Sequence, residues 1–133
     1  MIQRVDDTTT ISNDDLLLRR IVNKPEWLSR NEDGSWRVSS AAFVDRYTGE
    51  VSIHLARLTT PENALAGRPD EGLVDLFAIL PRSIGLIVVY DPKDDDPSHS
   101  LICAPSGSGV SKSKARKLAD AARWLVKPKD IRE

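Results

Sequence analysis

The stretch V51-S-I-H-L-A-R-L58 decides the fold class, because apolar and polar side chains alternate along it. Val51, Ile53 and Leu55 fall at every second position, with Ser52 and His54 between them. Successive side chains of a β-strand point to opposite faces of a sheet. The pattern therefore predicts a strand with one apolar face and with His54 on the other face.

Further strands are predicted on both sides of this segment. Residues 37–45 are expected to pair with 51–58 as a β-hairpin. The continuous apolar run at 85–90 predicts a strand buried on both faces, and 101–104 predicts a short strand that pairs with it. The run at 73–80 fits either a strand or a helix, because the periodicity of a short apolar run does not separate the two.

Helices are predicted near both ends of the chain. The apolar residues of segment 16–22 follow a helical spacing, and Pro25 would end that helix. Ser111 is the expected N-cap of a C-terminal amphipathic helix that Pro128 stops. The apolar positions of this helix are Ala115, Leu118, Ala119, Ala122, Leu125 and Val126. Thr60 as N-cap and Pro61 as first helical residue favour a short helix between the two.

These elements predict an α+β fold. The expected architecture is a small, mostly antiparallel sheet of four to five strands with an N-terminal helix and a C-terminal amphipathic helix. The chain has 133 residues, which suits one domain. We place that domain at residues 13–128, with a flexible leader at 1–12 and a tail at 129–133.

Composition excludes several classes of protein. A net charge of −1 gives no overall attraction to nucleic acid or anionic lipid. The single cysteine, Cys103, excludes an internal disulfide framework and a zinc site made of thiolates, and it is expected to be a buried structural thiol. No apolar run is long enough to predict a membrane span or a signal peptide. We expect a cytoplasmic protein with no cofactor and no membrane partner.

The two histidines, His54 and His99, are the candidate catalytic residues. Histidine titrates near neutral pH, and two histidines on neighbouring strands can act as an acid–base pair. The alternative for His54 is a buried histidine held by hydrogen bonds, and the alternative for His99 is an exposed one.

A phosphate-binding site is a second candidate, formed by Arg37, Ser39 and Ser40, with Lys112 at the start of the last helix. An arginine two residues before a serine on a strand presents both side chains to one face, where they can hold a phosphate. The alternative is the polar outer face of a half-exposed strand.

The last helix is also a candidate nucleic-acid-binding element, because four basic residues lie in its first turns: Lys112, Lys114, Arg116 and Lys117. The acidic loop D91-P-K-D-D-D-P-S-H99 attracts attention as a cation site, but its spacing lacks the glycine and the glutamate of a calcium-binding loop. We predict a solvated turn and no metal site there, with a site for a hard cation as the alternative.

Three patterns carry a resemblance: R37-x-S-S-A-A-F43, S52-x-x-x-A-x-L-T-x-P61 and D91-P-x-x-x-x-P-x-H-x-L101. In this order, and followed by a helix that starts with lysine and ends in tryptophan, they resemble a group of small, uncharacterised bacterial proteins. The resemblance covers residues 14–128 and implies a bacterial cytosolic single domain. It implies no activity and no functional residues.

The leading functional hypothesis is a small accessory or interaction protein without catalysis of its own, because no nucleophile–base, metal or nucleotide motif is complete. Trp27, Trp36 and Trp124 are the candidate anchors of a surface for a protein partner or a second copy. The alternatives are an enzyme that handles phosphate or nucleotides with His54, His99, Arg37 and Ser39, and a nucleic-acid-binding protein that uses the last helix.

Overall fold

The computed structural model describes residues 6–44, 50–105 and 109–129, and these residues form eight strands in two sheets. The strands are β1 (Leu16–Ile21), β2 (Leu28–Arg30), β3 (Trp36–Val38), β4 (Val51–Leu55), β5 (Gly72–Phe77), β6 (Ile87–Tyr90), β7 (His99–Cys103) and β8 (Arg123–Val126). The α-helices of the same residues are α1 (Pro61–Ala64), α2 (Ile79–Ser83) and α3 (Lys112–Ala121). Short 3-10 helices lie at Pro25–Trp27, Ser40–Phe43 and Ala56–Leu58.

Six strands form one antiparallel sheet in the order β6-β7-β4-β1-β5-β8, and β2 pairs with β3 in a separate sheet of two strands. The prediction of a four-to-five-stranded sheet with an N-terminal helix is therefore wrong. The segment predicted as that helix is β1, which lies at the centre of the large sheet between β4 and β5.

Burial on both faces explains why the sequence of β1 has the apolar pattern of a helix. Leu17 and Ile21 enter the main core, whereas Leu18 packs on the opposite face of the sheet. Arg19 extends from the strand to the main-chain oxygens of Ala42 and Ser52, at 3.0 and 2.8 Å. A central strand with apolar side chains on both faces loses the alternation that identifies a half-exposed strand, and its apolar positions then also fit helical spacing.

The predicted hairpin of 37–45 with 51–58 is also wrong. β3 pairs with β2, and β4 pairs with β1 and β7. Residues 45–49, where that hairpin would turn, lie outside the described residues. The hairpin of β6 with β7 is confirmed, with Val88 opposite Ile102. The ambiguous run at 73–80 divides into β5 and the start of α2.

The C-terminal helix begins as predicted and ends earlier. The hydroxyl of Ser111 accepts a hydrogen bond from the main-chain N–H of Lys114 at 3.3 Å, which caps α3. The helix ends at Ala121, and Leu125 and Val126, which the sequence pattern predicts to be helical, belong to strand β8. Pairing with β5 explains this difference, because it replaces the main-chain hydrogen bonds of a longer helix and places Val126 against the second core.

The large sheet has a core on each face. The main core lies between the sheet, α3 and the 3-10 helix Ser40–Phe43, and Phe43, Ile53 and Leu118 are fully buried in it. The second core is small, consisting of Leu18 and Leu73 under Ala64 of α1. Because α1 is only one turn long, it leaves the β4 and β7 part of this second face open.

Residues 6–12 lie against β6, although they belong to the segment expected to be a flexible leader. Ile11 is fully buried, and the N–H of Thr8 donates to the main-chain oxygen of Val88 at 2.8 Å. Residues 1–5 of that leader and 130–133 of the expected tail lie outside the described residues. None of the helices in the described ranges is long and apolar enough to span a bilayer.

Candidate functional site

A cleft opens on the second face of the large sheet, opposite α3. Its volume is about 680 Å³, within the range of sites for small organic ligands. Its walls come from the sheet, from the segment around α1 and from the loop between β6 and β7. The lining includes Arg20, His54, Arg68, Lys93, Asp96 and His99.

The register of the sheet brings His54 and His99 together. His54 of β4 pairs with Leu18 of β1 on one side and with His99 of β7 on the other. Residues paired across neighbouring strands point to the same face, so both rings lie on the cleft face. The ring centroids are 6.2 Å apart, with an interplanar angle of 79°. Arg20 lies on this face too, because it follows Leu18 by two positions along β1.

A tight turn before β7 fixes the carboxylate of Asp96. Its Oδ1 accepts hydrogen bonds from the N–H of Ser98 at 3.1 Å and from the hydroxyl of Ser98 at 2.5 Å. Aspartate commonly bonds to the residue two positions onward in such turns. Oδ2 of Asp96 lies 2.8 Å from Nδ1 of His54. The turn thereby orients the imidazole ring, which is 97% buried and has the hydroxyl of Ser98 as a second neighbour at 3.3 Å.

Burial lowers the pKa of His54, and the positive charge of Arg20 lowers it further, while Asp96 acts in the opposite direction. Burial alone would raise the pKa of Asp96, but hydrogen bonds from Ser98 and the neighbouring His54 outweigh it and hold that pKa below its ordinary value. At neutral pH Asp96 is therefore ionised and His54 is neutral, with the proton on Nδ1. Nε2 of His54 carries the lone pair and has no hydrogen-bond partner in the part of the chain that the structure describes.

His99 is held by a different aspartate. Its Nδ1 lies 2.9 Å from the main-chain oxygen of Asp91 and 3.2 Å from the carboxylate of the same residue. Both neighbours accept hydrogen bonds, so Nδ1 of His99 carries a proton. Its Nε2 lies 3.3 Å from the hydroxyl of Ser52. Both histidines of the cleft thus have an aspartate next to Nδ1. They differ at Nε2, which is near a hydroxyl in His99 and has no hydrogen-bond partner among the described residues in His54.

The positive charge of Arg20 is half-buried in the cleft and has no direct partner among the described residues. Burial lowers the pKa of Arg20, and the charge of Arg68 lowers it further. The negative charges of Glu71 and Asp96 raise it. Within residues 6–44, 50–105 and 109–129, no side chain or main-chain group forms a hydrogen bond or ion pair with its guanidinium. A half-buried guanidinium without a direct partner has lost hydration that no hydrogen bond replaces. Arg20 is therefore the group of the cleft that gains most from a bound anion.

The other cations of the cleft already have acidic partners. Arg68 pairs with Glu71 at 3.0 Å, and Lys93 pairs with Asp91 at 3.1 Å. The second pair links Lys93 to the residue that holds His99. These pairs are exposed, so they contribute little to stability but set the charges at the rim.

The predicted phosphate site does not join the histidines. Val38, which lies within this segment, and Phe43, which follows it, are buried in the main core, on the other face of the sheet. The hydroxyl of Ser39 donates a hydrogen bond to the main-chain oxygen of Glu26, and Arg37 is exposed on β3. Ser40 begins the 3-10 helix that packs under α3. The group of Arg37 and Ser39 with His54 and His99, expected from the sequence, is therefore not formed.

The basic residues of α3 also lie away from the cleft. Lys112, Arg116 and Lys117 are exposed and Lys114 is half-buried, on the side of the sheet opposite the histidines. Arg116 pairs with Asp120 one turn later, at 3.6 Å. The remaining charge forms one exposed strip on a single helix.

The three tryptophans, candidate anchors of a partner surface, contact other parts of the same chain. Trp27 and Trp36 lie beneath Arg19 and Arg30, at 5.2 and 4.5 Å from ring centre to guanidinium. The indole N–H of Trp124 donates to the main-chain oxygen of Trp36 at 3.0 Å.

Cys103 is buried, and that burial raises the pKa of its thiol. In the described residues, no three histidine, cysteine or acidic side chains converge as metal ligands.

Arg20, Asp91 and Asp96 are the site residues that the sequence analysis missed. Arg20 lies in the segment predicted as a helix, and the two aspartates lie in the loop predicted as a solvated turn. Two signals were present: a pair of arginines inside an apolar run, and an aspartate two positions before a serine, which is typical of a side-chain-bonded turn. Neither signal shows that these residues lie next to His54 and His99 in the folded protein.

Comparison of the chain with protein-family models, curated proteins and solved structures finds no match.

Proposed function

We propose that the protein binds a small phosphate-bearing molecule in the cleft between β4, β7 and α1. The observation that carries this proposal is the half-buried guanidinium of Arg20, which lines the cleft without a direct partner among the described residues. A phosphate oxygen pair matches the planar fork of a guanidinium and would replace the water that Arg20 loses on burial.

The rest of the lining supports a ligand with an uncharged organic part beside its phosphate group. Thr59 and Asn63 offer polar groups on the wall near α1, and Leu58 and Ala64 offer apolar surface beside them. Small-molecule sites commonly combine apolar surface with a few placed polar groups. A phosphate ester with an organic group of nucleoside size would fill such a site.

This proposal takes the place of the interaction protein favoured by the sequence. The surface expected for a partner rested on Trp27, Trp36 and Trp124, and each is partly buried against other parts of the chain. The basic strip on α3 lacks the aromatic neighbours that strengthen a nucleic-acid assignment. The cleft, in contrast, has a half-buried arginine and a volume that suits a small ligand.

Titration calorimetry with inorganic phosphate and with AMP tests the proposal. We expect saturable binding to the wild-type protein and at least a tenfold weaker affinity, about 1.4 kcal/mol, for Arg20→Ala. Arg37→Ala is the matched control, because it removes an arginine from the other side of the sheet, and its affinity should equal that of the wild type. Citrate serves as a carboxylate comparison.

The opposite pattern would reject this site. If Arg37→Ala abolishes phosphate binding while Arg20→Ala leaves it unchanged, the sequence-based phosphate site is the correct one. If citrate binds and phosphate and AMP do not, the cleft recognises carboxylates and the proposed ligand class is wrong.

A further inference from the structure

We propose that the cleft is an active site for the hydrolysis of small phosphodiesters, in which His54 is the general base and His99 donates a proton to the leaving group. This inference rests on the phosphate ligand proposed above and adds a reaction to it. It assigns a separate role to each histidine from the atoms that surround it.

His54 has the features of a general base. The contact of 2.8 Å between its Nδ1 and Asp96 fixes the ring, and Nε2 has no hydrogen-bond partner among the described residues. The ring borders the cleft, and a neutral imidazole accepts a proton at Nε2. In the proton transfer Asp96 acts through His54, so it is a positioning residue for that step.

His99 has the features of the proton donor. Its Nδ1–H faces two oxygens of Asp91, at 2.9 and 3.2 Å, and the carboxylate can compensate the charge of a protonated ring. The transferable proton then lies on Nε2. The contact of Nε2 with the hydroxyl of Ser52, at 3.3 Å, is long, so an oxygen of the substrate can replace it.

The charges of the cleft favour a diester over a monoester. Arg68 and Lys93 already pair with acidic residues, which leaves Arg20 as the lining cation for the ligand in the described part of the chain. Asp95 and Asp96 also line the cleft and repel additional negative charge. A phosphodiester carries one negative charge, whereas a phosphomonoester carries about 1.5 to 2 at neutral pH.

The proposed reaction is a hydrolysis. Water attacks phosphorus while Nε2 of His54 removes one of its protons. The new P–O bond forms, and the P–O bond to the leaving group breaks, with its electron pair staying on the leaving oxygen. Nε2–H of His99 gives that oxygen a proton, so the products are a phosphomonoester and an alcohol. His54 then releases a proton to solvent and His99 takes one up.

Two diesters separate the roles of the histidines. Bis(4-nitrophenyl) phosphate releases 4-nitrophenolate, which leaves as an anion and needs no acid. The ring opening of 2′,3′-cyclic AMP releases an alkoxide, which does need one. The steady-state rate with each is measured on the wild type, His54→Asn, His99→Gln, Asp96→Asn and, as a control remote from the cleft, Arg30→Ala. Asparagine at 54 keeps a donor toward Asp96 and removes Nε2.

We expect His54→Asn to lower kcat at least a hundredfold with both diesters, because each reaction needs the base. His99→Gln should lower kcat at least a hundredfold with 2′,3′-cyclic AMP and less than tenfold with the aryl diester. Arg30→Ala should match the wild type. Asp96→Asn should lower kcat and move the acidic limb of the pH profile to lower pH, because Asp96 raises the pKa of His54. Phosphate binding, measured on each variant, shows that the cleft remains folded.

Several outcomes would overturn this inference. If the wild type binds phosphate but hydrolyses neither diester, the reaction is wrong and the ligand proposal stands; if it binds neither phosphate nor AMP and hydrolyses neither diester, both proposals fail together. Equal rates for His54→Asn and the wild type would remove His54 as the base. A faster rate with 4-nitrophenyl phosphate than with the diesters would contradict the charge argument.

Discussion

At the scale of single residues, the environment of His54 comes from parts of the chain that are distant in sequence. Its strand places it on the second face, Arg20 comes from β1, and Asp96 comes from the loop before β7. Burial makes the neutral ring the stable form in the folded protein. The protonation of this one side chain is therefore coupled to the stability of the fold.

The first prediction concerns the dependence of stability on pH. Because the folded-state pKa of His54 lies below its ordinary value of about 6.5, the unfolded chain takes up a proton at higher pH than the folded chain. The stabilisation from the neutral ring is complete above that value and is lost as pH falls below it. Urea unfolding at pH 7.5 and 5.5 should show a lower free energy of unfolding at pH 5.5, by at most about 1.4 kcal/mol per pH unit.

The variant His54→Asn provides the comparison for this measurement. Asparagine does not titrate, so the variant should lose most of the difference between pH 7.5 and 5.5. An equal difference in the variant and the wild type would assign the effect to other groups.

The sequence identified the two histidines but not their surroundings. The alternation of β4 predicts the face of His54 correctly, because that pattern depends only on neighbours along the strand. The contacts with Arg20 and Asp96 depend on the register between strands and on a turn, and no local pattern contains that information. Arg37 and Ser39 matched a local pattern and lie on the other face for the same reason.

At the scale of elements, the helices that the sequence predicts correctly, α1 and α3, are those with a local start signal. Ser111 and Thr60 cap α3 and α1 through their hydroxyls, as expected from the sequence. Two strands, β1 and β8, are instead predicted as helix, because their identity as strands depends on pairing with β5. Strand propensity is strongly dependent on such context, so neither segment carries a sufficient signal alone.

A prediction at this scale concerns the close packing between β5 and the segment after β8. A Cβ atom at Gly72 would lie 2.7 Å from the main-chain oxygen of Val126 and 2.7 Å from Cδ of Pro128. Because the main chain must move to relieve this contact, Gly72→Ala should lower the free energy of unfolding by about 1–3 kcal/mol. Urea denaturation measures the change.

The matched control is Phe77→Ala at the other end of β5. The side chain of Phe77 is 45% exposed, so its loss should change stability by no more than about 0.5 kcal/mol. A smaller loss for Gly72→Ala than for Phe77→Ala would show that β8 moves freely relative to β5.

At the scale of the whole molecule, the segment 6–12 covers the outer edge of β6. Asp7 accepts hydrogen bonds from the N–H of Val88 at 2.8 Å and from Arg82 at 3.1 and 3.0 Å. The hydroxyl of Thr8 accepts from the N–H of Tyr90 at 2.8 Å. An open strand edge invites pairing with other chains, and this segment prevents it along β6.

A prediction at this scale tests the attachment of that segment. Arg82→Ala removes the hydrogen bonds to Asp7 and should lower the free energy of unfolding by about 1–2 kcal/mol. Hydrogen exchange should become faster at the amides of Val88 and Tyr90, which the segment protects.

Arg116→Ala is the control for this experiment, because it removes an exposed ion pair with Asp120 on α3, away from the segment 6–12. Its effect on the amides of Val88 and Tyr90 should be negligible. If Arg82→Ala also leaves both amides as slow as in the wild type, the segment is held by other contacts.

The position of β8 in the chain determines which surfaces stay exposed while the protein is being synthesised. Arg123 of β8 contacts Asp75 of β5, 48 residues earlier, and α3, which covers the main core, immediately precedes β8. A nascent chain that ends before α3 therefore exposes the free edge of β5 and the uncovered apolar side of the sheet. We expect such intermediates to aggregate or to bind chaperones until residues 112–126 are synthesised.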